Sequence, residues 1–375
     1  MDTWDWAGFV GGLAIVGLAL GDMWITIFHK DFEGPLAKAV QHSTWRLTIA
    51  IARRTRRGRR LLVSMAGPVM VLFTLAAWLS LYVLGFTIVV WPQIREAFLT
   101  DPGIDPSRMG FVDALYYSGV TGTTLGFGDI APATSLFKVL AFVQSALGFG
   151  MFTATITYLL SIIGGSAERN ALAVRVISQT GGSGDGVELV AAGLGIEDDA
   201  DLRRRLDALT EAVHTVQEVF HQLPVLDLYF RSREPDHDPE PMLRSLAEAA
   251  LAAHLLASDP SHRTLKRSAQ ELDNAISQVM LVVGRQYFPR RVHAQLVHPE
   301  PSAEDRVFLD ELRRRLLDAS PGLVLESSGG SPELALACRL RVFMRALDSL
   351  TAWSVIQPSR YRQRDDTATV EADDG

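Results

Sequence analysis

Residues 121–132 read TGTTLGFGDIAP. The run packs three glycines and three threonines into an otherwise apolar region. Glycine accepts positive φ without a Cβ penalty, so Gly126 and Gly128 predict backbone that twists in alternation. Just before it lies MGFVDALYYSGV, from Met109 to Val120. This apolar stretch would make roughly 18 Å of helix, too short to cross a bilayer, and a re-entrant half-helix fits its length. On either side stand two uncharged runs, 61–91 and 139–165, each long enough to span lipid. Non-helical backbone survives at membrane depth only where it is buried in protein or lines a water-filled path. Thr124–Gly128 is therefore expected as extended backbone lining an aqueous path.

Such backbone has a use. Rings of carbonyls, one strand from each of several subunits, can replace the water shell of a cation. The Thr124 hydroxyl would add the innermost ring. A half-helix ending near Thr123 would aim its negative end at a central cavity. Asp129 at the outer mouth would raise the local cation concentration.

The stretch TTLGFGD, Thr123 to Asp129, resembles the selectivity filter of the potassium channel family. The preceding ALYYSGVTG resembles its pore helix, with Tyr116 and Tyr117 at the family's aromatic pair, and Pro132 also matches. The resemblance covers 61–164. It implies an all-α membrane protein, a homotetramer with one filter strand per chain, and K⁺ as the transported ion with no cofactor. It assigns ion binding to Thr124, Leu125, Gly126, Phe127 and Gly128, and filter support to Tyr116, Tyr117, Thr121, Thr123 and Asp129. Three positions depart from the family pattern. Phe127 stands for the commoner Tyr and lacks its hydroxyl. Leu125 replaces Val. Val120 stands where some members have a carboxyl, which denies Asp129 that partner.

The run from Leu140 to Gly165 should line the cavity and inner gate. Gly148 lies where the family places a hinge glycine, and Gly150 is a second candidate. Two readings stay open for them: helix bending, or close packing through small residues. Phe152 and Ile156 are candidates for a hydrophobic constriction below Gly148.

A further apolar run, Ala7 to Phe28, is broken only by Asp22. Asp22, Thr26 and His29 share one helical face, readable as a pH-sensitive contact or as a fixed polar one. Between this run and the next lie nine Lys and Arg, including RRTRRGRR at 53–60, against Asp31 and Glu33. That bias places the loop in the cytoplasm and the N-terminus outside. Leu36, Val40, Leu47 and Ile51 fall on one face, as in a basic amphipathic helix lying on membrane lipid. The arginines, packed among one another rather than among apolar residues, read as an anchor and not a voltage sensor.

The chain thus divides into an N-terminal transmembrane helix (1–30), a cytoplasmic basic amphipathic linker (31–60), a pore domain (61–164), a cytoplasmic helical domain (165–360) and a disordered tail (361–375). Residues 1–164 carry 12 Lys and Arg against 10 Asp and Glu, and the remainder 24 against 33. The acidic second part argues against nucleic acid as a partner. The single cysteine, Cys338, excludes an internal disulfide framework. Helices are expected near 166–179, 199–222, 241–258, 263–287, 302–319 and 332–356, with GGSGDG at 181–186 as a flexible link. No βαβ alternation and no G-x-G-x-x-G appear, so a nucleotide-binding regulatory domain is not expected. No nucleophile–base set is visible, so the chain does not read as an enzyme. His214, Glu218 and His221 share a face, but three ligands on one exposed helix read as a solvated face, and no metal site is expected. The expected function is a potassium-selective channel in the plasma membrane. Two alternatives stay open: a poorly selective cation channel, and a non-conducting membrane receptor or scaffold with a vestigial pore.

Overall fold

The computed structural model describes residues 3–29, 33–55, 58–194, 199–222, 229–232, 234, 237–321, 323, 325 and 330–351. The tail 361–375 lies outside them. Among the described residues the protein is all-α apart from one small strand pair, and three helical stretches are long and apolar enough to cross a membrane: Trp6–Phe28, Arg59–Gln93 and Ser135–Gln179. The chain forms two compact units. One holds Met1–Arg46 and Pro68–Ser161, the other Leu47–Gly67 and the described residues from Ile162 onward.

In the first unit, α1 (Thr3–Phe28) packs on α4 (Ala66–Val90) through glycines. A Cβ on Gly12 would meet the Gly85 carbonyl, and one on Gly85 would meet the Gly12 carbonyl. Small residues are what let two helix backbones approach this closely. The amphipathic helix α2 (Pro35–Arg54) begins against these two. Its first amides, Leu36 and Ala37 N–H, donate to the Asp22 carboxylate at 2.8 and 3.1 Å. The Trp78 indole donates to the same carboxylate at 2.8 Å, and Gly34 N–H donates to Thr26 Oγ1 at 3.0 Å. A side chain on α1 thus satisfies orphan donors at the start of another helix, which is a capping role. These bonds make Asp22 and Thr26 a fixed polar contact. A core of Val16, Met23, Ala37, Trp78, Tyr82, Phe86 and Met151 joins α1, α2, α4 and the inner helix α6 (Ser135–Gln179).

The outer helix is divided. A short α3 (Arg59–Ser64) precedes α4, with Met65 between them. The inner helix corrects the expected break at Gly164–Gly165, because α6 runs through both to Gln179. A helical glycine costs about 1 kcal/mol relative to alanine, which is a propensity and not a stop. The buried Ile162, Leu172, Ala173 and Val176 carry the helix onward. It ends where Gly181 and Gly182 take φ of 60° and 91°, and Gly182 N–H donates back to the Ile177 carbonyl at 2.9 Å.

The glycine run 181–186 is not a flexible link. Gly184 N–H donates to Thr180 Oγ1 at 2.9 Å, and Asp185 caps α7 (Gly186–Ala191) by accepting from Val187 N–H. A Cβ on Gly186 would overlap the Ser245 carbonyl, so glycine is required by close approach. The second unit continues with α8 (Ala200–Gln222), α9 (Pro239–Ala257), α10 (Lys266–Tyr287), α11 (Arg290–Val297), α12 (Ala303–Ala319) and α13 (Ser331–Thr351). The alanine-rich α9 is buried on nearly every side, as expected of a helix without a polar face. Leu202, Leu206, Leu209, Val213, Val216 and Phe220 of α8 form one buried stripe at helical spacing, and α8 packs on α10. Among the described residues this unit contains no strand.

Candidate functional site

The half-helix expected at 109–120 is α5 (Phe111–Gly122), shifted two residues along the chain. Asp113 accepts from Gly110 N–H at 2.7 Å and closes its first turn. At the other end, Thr123 N–H and its hydroxyl donate to the Gly119 carbonyl at 3.0 and 2.7 Å. The chain then leaves the helix with a regular alternation. Thr124, Gly126 and Gly128 have φ of 61°, 55° and 84°, while Leu125 and Phe127 stay at negative φ. Alternation of hand turns successive peptide units the same way, carbonyls to one side and N–H groups to the other. The N–H side is held: Leu125 and Gly126 donate to the Val120 carbonyl at 3.0 and 3.4 Å, and Thr124 donates to Thr121 at 3.1 Å. The carbonyls of this stretch are left for something else to meet.

The two tyrosines divide. Tyr116 donates its hydroxyl to Asp129 at 2.8 Å. Asp129 therefore has a partner after all, one helix turn before the position where a carboxyl was missed. Tyr117 is buried, stacks edge-on to Phe98 at 4.9 Å and hydrogen-bonds Thr121. Beyond Asp129 the chain is pinned by a strand pair, β1 (Phe98–Thr100) against β2 (Ile130–Pro132), antiparallel with Leu99 opposite Ala131. Asp101 N–H donates to the Asp129 carbonyl at 3.0 Å.

Behind α5, the Gln144 amide donates to the Ser118 carbonyl at 2.9 Å, and the Tyr82 hydroxyl donates to the Gln144 carbonyl. Neither residue figures among the expected site residues. Gln144 had a signal: an amide within the uncharged run 139–165 must find partners or leave its polar atoms unsatisfied. Thr124 as a left-handed residue had no signal in its side chain, since threonine disfavours that conformation.

Gly148 sits where a Cβ would overlap the Gly122 carbonyl at the end of α5. The close-packing reading is thus supported by geometry, and Gly150 has open space around it. Gly148→Ala is expected to push α6 off α5 and destabilise the protein by about 1–3 kcal/mol, the usual range for overpacking. Thermal unfolding of the purified protein checks this, with Gly150→Ala, in open space on the same helix, no less stable than the wild type and up to about 1 kcal/mol more so. Phe152 and Ile156 are exposed on α6 within the single chain, as are Leu125 and Phe127. His214 and Glu218 lie exposed on α8, and among the described residues no group of three His, Cys, Asp or Glu is arranged to hold a metal ion.

A protein family described as "Ion channel" matches residues 69–164. An uncharacterized membrane protein, YdjJ, of Bacillus subtilis is 24% identical over 228 residues, 60% of this chain and 64% of that protein. Two-pore potassium channel 4 of Arabidopsis thaliana is 38% identical over 77 residues, 20% of this chain and 25% of that protein. The chain thus spans under two thirds of the length of either relative. No solved structure matches it. With its three apolar helices and the half-helix between two of them, the chain is an all-α membrane protein whose residues 69–164 are similar to an ion channel domain.

Proposed function

We propose that the chain is one subunit of a homotetrameric, potassium-selective channel of the plasma membrane. The observation that carries this reading is the alternation of hand at Thr124, Gly126 and Gly128, with the intervening N–H groups tied back to Val120 and Thr121. One strand of carbonyls cannot enclose an ion, but four around an axis replace its hydration shell. The chain holds one such strand, so the filter needs four copies. Exposed Leu125, Phe127, Phe142, Phe149 and Phe152 give each copy apolar surface to bury in that assembly or in lipid. The nine cations between the first two spans favour a cytoplasmic loop, with the chain after the third span on the same side and the N-terminus outside. Conduction then requires only dehydration and carbonyl coordination. The test is potassium uptake by liposomes carrying the purified protein, with sodium as the comparison ion. Uptake of potassium well above sodium supports the reading. Comparable uptake of both means a poorly selective cation channel, and uptake of neither means a non-conducting receptor or scaffold.

A further inference from the structure

Glu33 stands in the short joint between α1 and α2. The residue is half-buried; its Oε1 is buried and, among the described residues, has no hydrogen-bond partner. Burial pushes its carboxyl up to about 7; the Lys38 ammonium pulls it back down and the Asp22 carboxylate adds to the rise. Among the described residues, the charged and titratable groups acting on it come from three elements: Asp22 on α1, Lys38 on α2 and Tyr158 on α6. The residues that follow it are those held by the first span. Gly34 is bonded to Thr26, and Leu36 and Ala37 to Asp22. A Cβ on Gly34 would overlap the Asp22 carboxyl, so the joint is seated directly on that residue. Ala37 belongs to the same core cluster as Met151 of the inner helix.

An ionised Glu33 in this place has no donor for Oε1 and a carboxylate nearby. Water would relieve both. Movement of 33–37 off Asp22 and Thr26 would hydrate Oε1 fully, at the cost of uncapping α2 and withdrawing Ala37 from the core it shares with the inner helix. Protonation removes the repulsion from Asp22 and lowers the cost of leaving Oε1 unpaired. We propose that Glu33 is a proton-operated latch that holds the start of α2 against the first span and the inner helix, and releases it as its surroundings turn alkaline.

The sign follows from linkage. A carboxyl raised above its ordinary 4.5 binds its proton more tightly docked than in water. Docking is therefore most favoured below about 4.5, weakens as pH rises to about 7, and changes no further above that. The swing in the docked-to-released ratio is bounded at about 300-fold, the antilog of the difference between those two values.

The consequence for ion flux rests on the proposed channel function, so two readouts are paired. The first is potassium uptake by liposomes with both compartments buffered together from pH 5 to 8.5. The second is hydrogen exchange at the Leu36 and Ala37 amides over the same range, corrected for the intrinsic pH dependence of exchange. In the wild type, uptake and amide protection change together with a half-change near or below pH 7, and protection falls on the alkaline side. Glu33→Gln stays at the acid-side values of both throughout. Lys38→Gln, which removes the neighbouring cation, moves the half-change to higher pH. A Glu33→Gln profile that follows the wild type, or a wild type flat in both readouts, overturns the latch. A wild type with no uptake at any pH refutes the channel reading, and amide protection then decides the latch by itself.

Discussion

Gly126→Val subunits are expected to fold and assemble but to lose potassium uptake by about a thousandfold. Gly126 has a φ of 55°, a left-handed conformation that costs an L-residue roughly 1–2 kcal/mol, and a β-branched residue is an outlier there. In the proposed tetramer the strain is met four times, so about 4 kcal/mol or more opposes the conducting geometry, and each 1.4 kcal/mol is about tenfold. The strand can relax by flipping the peptide units on either side of position 126, which removes carbonyls from the ion path. Within one chain nothing lies within 4 Å of a Cβ placed on Gly126. The substitution therefore has no packing reason to unfold the subunit, and the loss reads the site itself. Leu125→Val is the matched control. Leu125 keeps negative φ, so the same side chain one residue earlier meets no left-handed strain and uptake should stay within a few-fold. Full uptake by Gly126→Val would remove this strand from the conduction path.

The site was legible because its chemistry lives in backbone conformation, and glycine at alternate positions is how a sequence records such backbone. Gly126 and Gly128 have the positive φ expected of them. Thr124 shares the alternation, but its side chain gives no hint of it; only the even spacing with the two glycines does. The strands at Phe98–Thr100 and Ile130–Pro132 are three residues each, too short to display a period of two. The amphipathic helices α8 and α10 were readable from periodicity. The eight-residue α11 (Arg290–Val297), behind Pro289, was not. Glycine pairs misled in both directions. Gly164–Gly165 lies inside a helix that packing sustains, while the run at 181–186 is a tight, hydrogen-bonded turn fitted against Ser245. Composition marks glycine as permissive, but whether a glycine supplies freedom or close approach depends on what lies within 4 Å of it. Asp22 carried a comparable ambiguity. Its partners Leu36, Ala37 and Trp78 lie 14, 15 and 56 residues away, so no local pattern could reveal that it caps another helix.

In the second unit, Arg231→Met is expected to destabilise the helices around α9 by about 3–5 kcal/mol, the usual penalty for breaking a buried ion pair from one side. Arg231 is fully buried and grips Glu240 with two guanidinium nitrogens, one of them at 2.6 Å. Asp238, also fully buried, lies 3.8 Å from the same guanidinium and pairs with Arg60. Two cations thus balance two carboxylates in a site where only Arg60 keeps partial exposure. Burial pushes the Glu240 carboxyl up, but the charge and hydrogen bonds of Arg231 overcome it and hold the carboxyl below its ordinary range. Met fills the space of the arginine stem without its charge, so the change isolates electrostatics from volume. Amide exchange along α9 in the full-length protein in micelles should then accelerate by about a hundred- to several-thousandfold, where exchange reports the opening equilibrium. Two further results separate this cause from simple loss of packing. Without Arg231, burial outweighs the remaining hydrogen bonds from Thr351 and the Glu240 backbone, so Glu240 shifts toward its protonated form and the deficit should shrink as pH falls toward 5. The double change Arg231→Met/Glu240→Leu leaves Asp238 with Arg60 and no unpaired charge, and should recover most of the loss, since apolar replacement of a whole buried pair is often neutral. A deficit independent of pH, or a double variant as unstable as the single, would show that the guanidinium acts here as packing and not as counter-charge.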